Sequence, residues 1–267
     1  METRSFSTHP RNRAVLTAER LAVLERHEAE MTEKLERVIE QHAARIALIG
    51  RIGSDLSALR FENERPRVTH VGLALRESFG WRVHHLMNTH EGPEGHLYCQ
   101  PLLDFFRDDP FEYRASVLVP SVGLQEQIAR TLQSTISEAL YTPRYSRVSY
   151  PFSTRYQNSN QWVLEIIAAA QSGRATRSAI QSYLEVRGLA PSVLRAVGLL
   201  KQAAGRLASR NTRFDDHPLR ERLRGRIAFM LGSSLHRYVR GTDDVLAEVE
   251  IMLGDADHGG PNAQSTQ

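Results

Sequence analysis

Apolar residues first recur at helical spacing. Leu21, Leu24, Met31, Leu35 and Val38 follow one another three, four or seven apart through a heavily charged stretch. That pattern predicts a long helix over residues 17–44, capped by Thr17. Glu28 and His42 interrupt the stripe. The helix is therefore expected to lie on the main domain or to pair with a partner helix, rather than to continue as a coiled coil.

Period-two patterning then takes over. Residues 45–50 form a short apolar run, and residues 67–75 alternate, with β-branched Val68, Thr69 and Val71. Both read as strands. Residues 76–80 read as a turn, 81–87 as the returning strand, 89–96 as a Gly- and Pro-rich loop and 102–106 as a helical turn. Another strand is expected over residues 113–119, stopped by Pro120. Ser121 then caps a helix carrying Leu124, Ile128, Leu132 and Ile136 at four-residue spacing. An irregular connection over 141–156 contains Pro143 and Pro151 and leads to a strongly apolar helix over 159–170. Helices over 175–187 and 191–208, a last strand over 226–231 and a helical turn over 233–239 complete the expectation. The fold class is α+β, an antiparallel sheet packed against helices with a long N-terminal helix. The domain plan is a tail over 1–16, the helix over 17–44, a domain over 45–253 and a second tail over 254–267.

Composition narrows the function classes. Lysine plus arginine number 34 against 31 acids, for a net charge of +3, and the acids are interleaved with the arginines. No concentrated basic stripe emerges, so nucleic acid is not an expected partner. A single cysteine, Cys99, allows no internal disulfide. No apolar run approaches the roughly 20 residues needed to cross a bilayer. Residues 1–13 are basic with no apolar run after them, which gives an expectation of no signal peptide and a cytoplasmic location. Glycine-rich phosphate loops and a nucleophile elbow are absent from the sequence.

Two positions carry the candidate chemistry. His70 lies inside the apolar strand Thr69-His70-Val71-Gly72, and Ser159 opens the helix after Gln157-Asn158. A small nucleophile at a helix N-terminus and a strand histidine are the materials of acyl transfer. If the hairpin turn centres near Glu77 or Ser78, His84 shares a face with His70; an odd register substitutes His85. Read as packing alone, His70 is a half-buried strand histidine, and Ser159 or Asn158 is an N-cap worth about 1 kcal/mol. Five histidines, His70, His84, His85, His90 and His96, fall close together. They lack the spacing of a metal motif, so no metal and no cofactor are expected. Asp216 and His217 form a secondary candidate cluster, and Cys99 reads as a buried bystander.

The ordered set Arg45-Ile46-Ala47-Leu48-Ile49-Gly50-Arg51-Ile52-Gly53, Thr69-His70-Val71-Gly72-Leu73-Ala74, His84-His85-Leu86, Asp104-Phe105-Phe106, Tyr150-Pro151-Phe152, Tyr156-Gln157-Asn158-Ser159 and Asp215-Asp216-His217 resembles the bacterial domain-of-unknown-function family 2145 over roughly residues 40–245. That family in turn resembles the circularly permuted branch of papain-like (NlpC-type) hydrolases. The resemblance implies a permuted papain-like fold with His70 as general base, His84 as the third, orienting residue and Ser159 where the superfamily carries cysteine. It also implies Gln157 or Asn158 as oxyanion support. The implied activity is hydrolysis or acyl transfer on an amide, ester or thioester of a small-molecule, lipid or peptide substrate. Serine in place of cysteine leaves three accounts open: a serine hydrolase, a degenerate enzyme kept as a ligand- or protein-binding module, or a substituted nucleophile. In the binding-module account the N-terminal helix offers a surface to a protein partner. The resemblance also implies export, as is often the case for relatives of the family, which stands against the expectation of no signal peptide.

Overall fold

The alternating segments pair into one six-stranded sheet, in the order Gly95–Pro101, Gly80–Asn88, His70–Glu77, Ile46–Ile52, Glu112–Pro120, Val245–Met252. The computed structural model describes residues 18–53, 56–88, 94–107, 112–195 and 211–253. The strands are β1 (Ile46–Ile52), β2 (His70–Glu77), β3 (Gly80–Asn88), β4 (Gly95–Pro101), β5 (Glu112–Pro120) and β8 (Val245–Met252), and every pairing among them is antiparallel. A separate two-stranded ribbon joins β6 (Ser192–Arg195) to β7 (Arg226–Phe229). The helices are α1 (Ala18–Gln41), α2 (Leu102–Arg107), α3 (Val122–Leu132), α4 (Thr135–Ala139), α5 (Ser159–Ser172), α6 (Arg177–Val186), α7 (Leu219–Leu223) and α8 (Gly232–Arg240).

Each face of the sheet buries its own set of side chains. On one face Leu48, Val71, Leu73, Leu86 and Leu118 meet Leu124 and Ile128 of α3, Trp162 and Ile166 of α5, and Leu235 of α8. On the other, Ala47, Ile49, Ala74, Val83 and Val117 meet Met31, Leu35 and Ile39 of α1 and Phe105 and Phe106 of α2. The C-terminal half of α1 thus lies on the sheet. Met31, Leu35 and Ile39 are four residues apart and fully buried, each worth about 1.5–3 kcal/mol of transfer free energy. Buried Glu28 on the same helix is neutralised by Arg107, whose Nε lies 3.2 Å from its carboxylate.

Several elements differ from expectation. The apolar stripe through Ile136 is split into α3 and α4, because Ser134 caps a new helix by accepting a hydrogen bond from the Ile136 N–H at 3.2 Å. Residues 192–195 are strand, where a helix over 191–208 was expected; residues 196–210 lie outside the described ones. Two strands, β4 and β8, were not expected at all. β4 opens at the end of the Gly/Pro-rich stretch and is held as an edge strand by its ladder to β3. β8 follows the strand expected to be last and pairs along β5. The tails over 1–16 and 254–267, with Thr17 and His90, fall outside the described residues. Among the described residues no helix is long and apolar enough to cross a membrane.

Candidate functional site

His70 begins β2, opposite Arg51 of β1. Pairing with β3 starts only at Leu73↔His84, so the β3 side of the strand is open around His70. The helix α5 closes that edge. Asn160 accepts the Val71 N–H on its Oδ1 at 3.0 Å, and its Nδ2 donates to Thr69 O at 2.9 Å and to Met230 O at 3.2 Å. One buried amide therefore grips the backbone on both sides of His70 and fixes the first turn of α5 beside it. Gly72 keeps the neighbouring space free: a Cβ there would overlap Val83 Cγ1 and stand 3.2 Å from Phe105.

The helix starts where its cap dictates. Asn158 is extended (φ −106°, ψ 173°) and accepts the Gln161 N–H at 2.8 Å, making Ser159 the first helical residue. The Ser159 hydroxyl lies 3.0 Å from the Tyr145 hydroxyl, and both residues are buried. Burial pushes the Tyr145 phenol above its ordinary value, against the opposing effect of the Ser159 bond. No hydrogen bond joins Ser159 to His70.

His70 pairs instead with His85. Nε2 of His70 lies 2.9 Å from Nδ1 of His85, with the rings edge to face. Phe105 stacks on His70 and meets His85 edge-on, and the Arg51 guanidinium lies 4.9 Å above the same Phe105 ring. Burial, then the Arg51 charge, then His85 hold His70 well below the ordinary imidazole value of 6.5. Burial and Arg51 bring His85 down to about 3, while Gln100 beside it favours the protonated form. Both rings are neutral at pH 7, and one proton lies between them.

His84 does not meet His70. The turn is two residues, Ser78 and Phe79, with Glu77 opposite Gly80. That odd register turns His84 to the face of Leu73 and Cys99, and puts His85 on the face of His70. The side chain that meets His70 is His85, where His84 was expected.

The expected oxyanion side chains are committed elsewhere. Gln157 donates to Leu140 O at 2.9 Å and to Glu165 at 2.6 Å, and accepts the Thr142 N–H at 3.1 Å. Asn158, besides capping, donates to Arg147 O and Met230 O. Asp216 and His217 form a turn of their own. Asp216 accepts the Tyr150 N–H at 2.8 Å, and His217 Nε2 donates to Val148 O at 2.6 Å. Burial raises Asp216 to about 6 and lowers His217 to about 4. These bonds tie residues 148–150 to the 214–217 turn and touch neither imidazole of the His70–His85 pair.

Three contributors were missed from sequence: Asn160, Tyr145 and Glu165. Glu165 is fully buried and receives Gln157, Gln161, Arg177 and Gln181. It anchors the segment that leads into Ser159. Its signal was available, as the single acid in the apolar run over 159–170.

Comparison with known proteins adds the family. Residues 38–239 match the family described as an uncharacterized protein conserved in bacteria, domain-of-unknown-function family 2145 (DUF2145). No curated protein and no solved structure matches the chain. With most of its length matched, the chain belongs to that family.

Proposed function

We propose that this member of the DUF2145 family is a permuted papain-like hydrolase or acyltransferase in which Ser159 stands at the nucleophile position, His70 is the general base and His85 orients it. The observation that carries the reading is the Asn160 amide, which ties the residue after Ser159 to the backbone on either side of His70. The His70 ring lies on the Phe105 face of the sheet and α5 packs on the Leu73 face, so the Ser159–His70 bond of this reading forms only if the His70 side chain turns through the open β3 edge when substrate binds.

The chemistry assigns the protons. With His70 Nε2–H donating to His85 Nδ1, the His70 Nδ1 lone pair is free. It takes the Ser159 proton as the oxygen attacks the carbonyl carbon of an amide, ester or thioester, and later returns it to the leaving group. The Tyr145 hydroxyl lies 3.0 Å from Ser159 Oγ; with the serine proton turned to His70, the phenol is the donor of that pair and holds the oxygen in line. Side chains of Gln157 and Asn158 are spent, and the Gln161 and Trp162 N–H groups are taken by Asn158. The Ser159 N–H is directed at the Tyr145 hydroxyl, and the Asn160 N–H is the first-turn donor that remains for the oxyanion.

A second reading rests on Ser159 itself. Its hydroxyl is engaged by Tyr145, and serine gains far less than cysteine from a helix N-terminus. Under that reading the protein is a degenerate member that binds a ligand without turning it over. Hydrolysis of a panel of chromogenic esters, thioesters and anilides separates the two. Turnover lost in Ser159→Ala supports the enzyme; ligand binding without turnover of any member supports the degenerate module.

A further inference from the structure

The hairpin register that removes His84 from the His70 site creates a second cluster. Glu77 at the end of β2, His84 on β3 and Cys99 on β4 project from one face of the sheet, and their ligand atoms all lie within 4.8 Å of one another. Nε2 of His84 is 3.7 Å from Cys99 Sγ and 3.6 Å from a Glu77 oxygen. The thiol and the carboxylate approach the same ring nitrogen. In a Cys–His–Glu catalytic relay they would sit at opposite nitrogens. Convergence on one nitrogen is the arrangement of ligands around a shared cation.

The spacings fit such an ion. A tetrahedral zinc with bonds of about 2.3 Å to sulfur and about 2.0–2.1 Å to nitrogen and oxygen has ligand–ligand edges of about 3.4–3.6 Å. Both edges that meet at His84 are within a few tenths of an ångström of that. The imidazole also needs a partner. His84 is 6% exposed, its Nδ1 has no hydrogen-bond partner among the described residues, and Nε2 has only the long approaches to sulfur and carboxylate. Arg82 donates to Cys99 O at 2.9 Å, and its charge acts on both Cys99 and His84. Once Cys99 is ionised on binding, the thiolate and the Glu77 carboxylate together outweigh that cation.

The geometry points to a binding site for a borderline-soft divalent cation, of which zinc(II) is the type, held by Glu77, His84 and Cys99 with the fourth position open to water. On binding, the Cys99 thiol releases its proton to solvent and the thiolate takes the metal. The ion joins β2, β3 and β4 at the turn end of the hairpin. This site is independent of the activity proposed for Ser159.

Cobalt(II) titration of the reduced, chelator-stripped full chain tests it. The chain has one cysteine, so a thiolate-to-cobalt charge-transfer band can come only from Cys99. One equivalent of cobalt is expected to produce the band, with zinc(II) displacing it. Cys99→Ser should abolish it, and Glu77→Gln should weaken zinc binding about tenfold or more. Glu77 has a side chain 38% exposed, so that variant keeps its fold whatever Cys99→Ser does. His70→Gln should leave the band intact. No band with saturating cobalt, or a band with unchanged affinity in Glu77→Gln, overturns the proposal.

Discussion

The Nε2 of His70 lies 2.9 Å from the Nδ1 of His85, so the two imidazoles share one proton beneath Phe105. If His85 fixes the tautomer of His70, the two adjacent histidines of β3 must differ sharply in effect. His85→Ala should lower kcat/KM about 10- to 100-fold, and His70→Gln about 100- to 10,000-fold. His84→Ala, on the opposite face, should leave the rate within about twofold. Equal losses from His84→Ala and His85→Ala would contradict the assignment.

Asn160→Ala should both destabilise the fold and dismantle the site. It strips the side-chain partner from the Val71 N–H and the Thr69 carbonyl, while Met230 O keeps Asn158. An unsatisfied buried group costs about 1–3 kcal/mol, and water relieves part of that here, so a loss of about 2–4 kcal/mol in urea unfolding is expected. Asn160→Asp, which keeps only the acceptor and sets a buried carboxylate against the Thr69 and Met230 carbonyls, should lose at least as much stability and a comparable activity.

Stability should fall on acidification. Burial holds His217 at about 4 and His236 at about 3, both below the ordinary 6.5. Their full contribution is present above 6.5, and it is lost as pH falls toward those values, because the unfolded chain takes up protons first. Asp216, raised to about 6, acts in the opposite sense: its contribution is full below its ordinary 3.8 and is lost as pH rises through 6. Summed, the three predict a net loss of about 2–3 kcal/mol between pH 7 and pH 5, and the depressed His70, His84 and His85 add to it in the same direction, so the measured loss should be at least that large. Unfolding free energies measured at the two pH values check this, and a rise on acidification contradicts it. The depressed His70 should also keep the acid limb of the rate profile below the ordinary imidazole range.

Sequence reading reached the strand of His70, the cap region of α5 and the α+β class, because each rests on local patterning. It could not reach the register of the β2–β3 hairpin. A turn of two residues, Ser78 and Phe79, or of one more or fewer, satisfies the same alternation, yet it decides whether His84 or His85 faces His70. The roles of Asn160 and Tyr145 were equally hidden, since both depend on contacts across 89 and 14 residues of chain. Gln157 was assigned to the oxyanion because of its place before Ser159. Its commitment to Glu165, eight residues on, appears only once α5 is packed.

Tyr145→Phe removes one hydroxyl and keeps the buried ring. If the phenol holds Ser159 Oγ in line, the rate should fall about tenfold with little change in melting temperature. A large fall in melting temperature with an unchanged rate would make the contact purely structural.

The most direct test of an active Ser159 is intact-mass analysis after treatment with a fluorophosphonate, alongside iodoacetamide treatment of Ser159→Cys. A single adduct on the wild-type chain, mapped to Ser159 and absent from both Ser159→Ala and His70→Gln, is the predicted result. Wild type that stays unmodified while Ser159→Cys is alkylated at residue 159 would contradict it and identify a site that has lost its nucleophile.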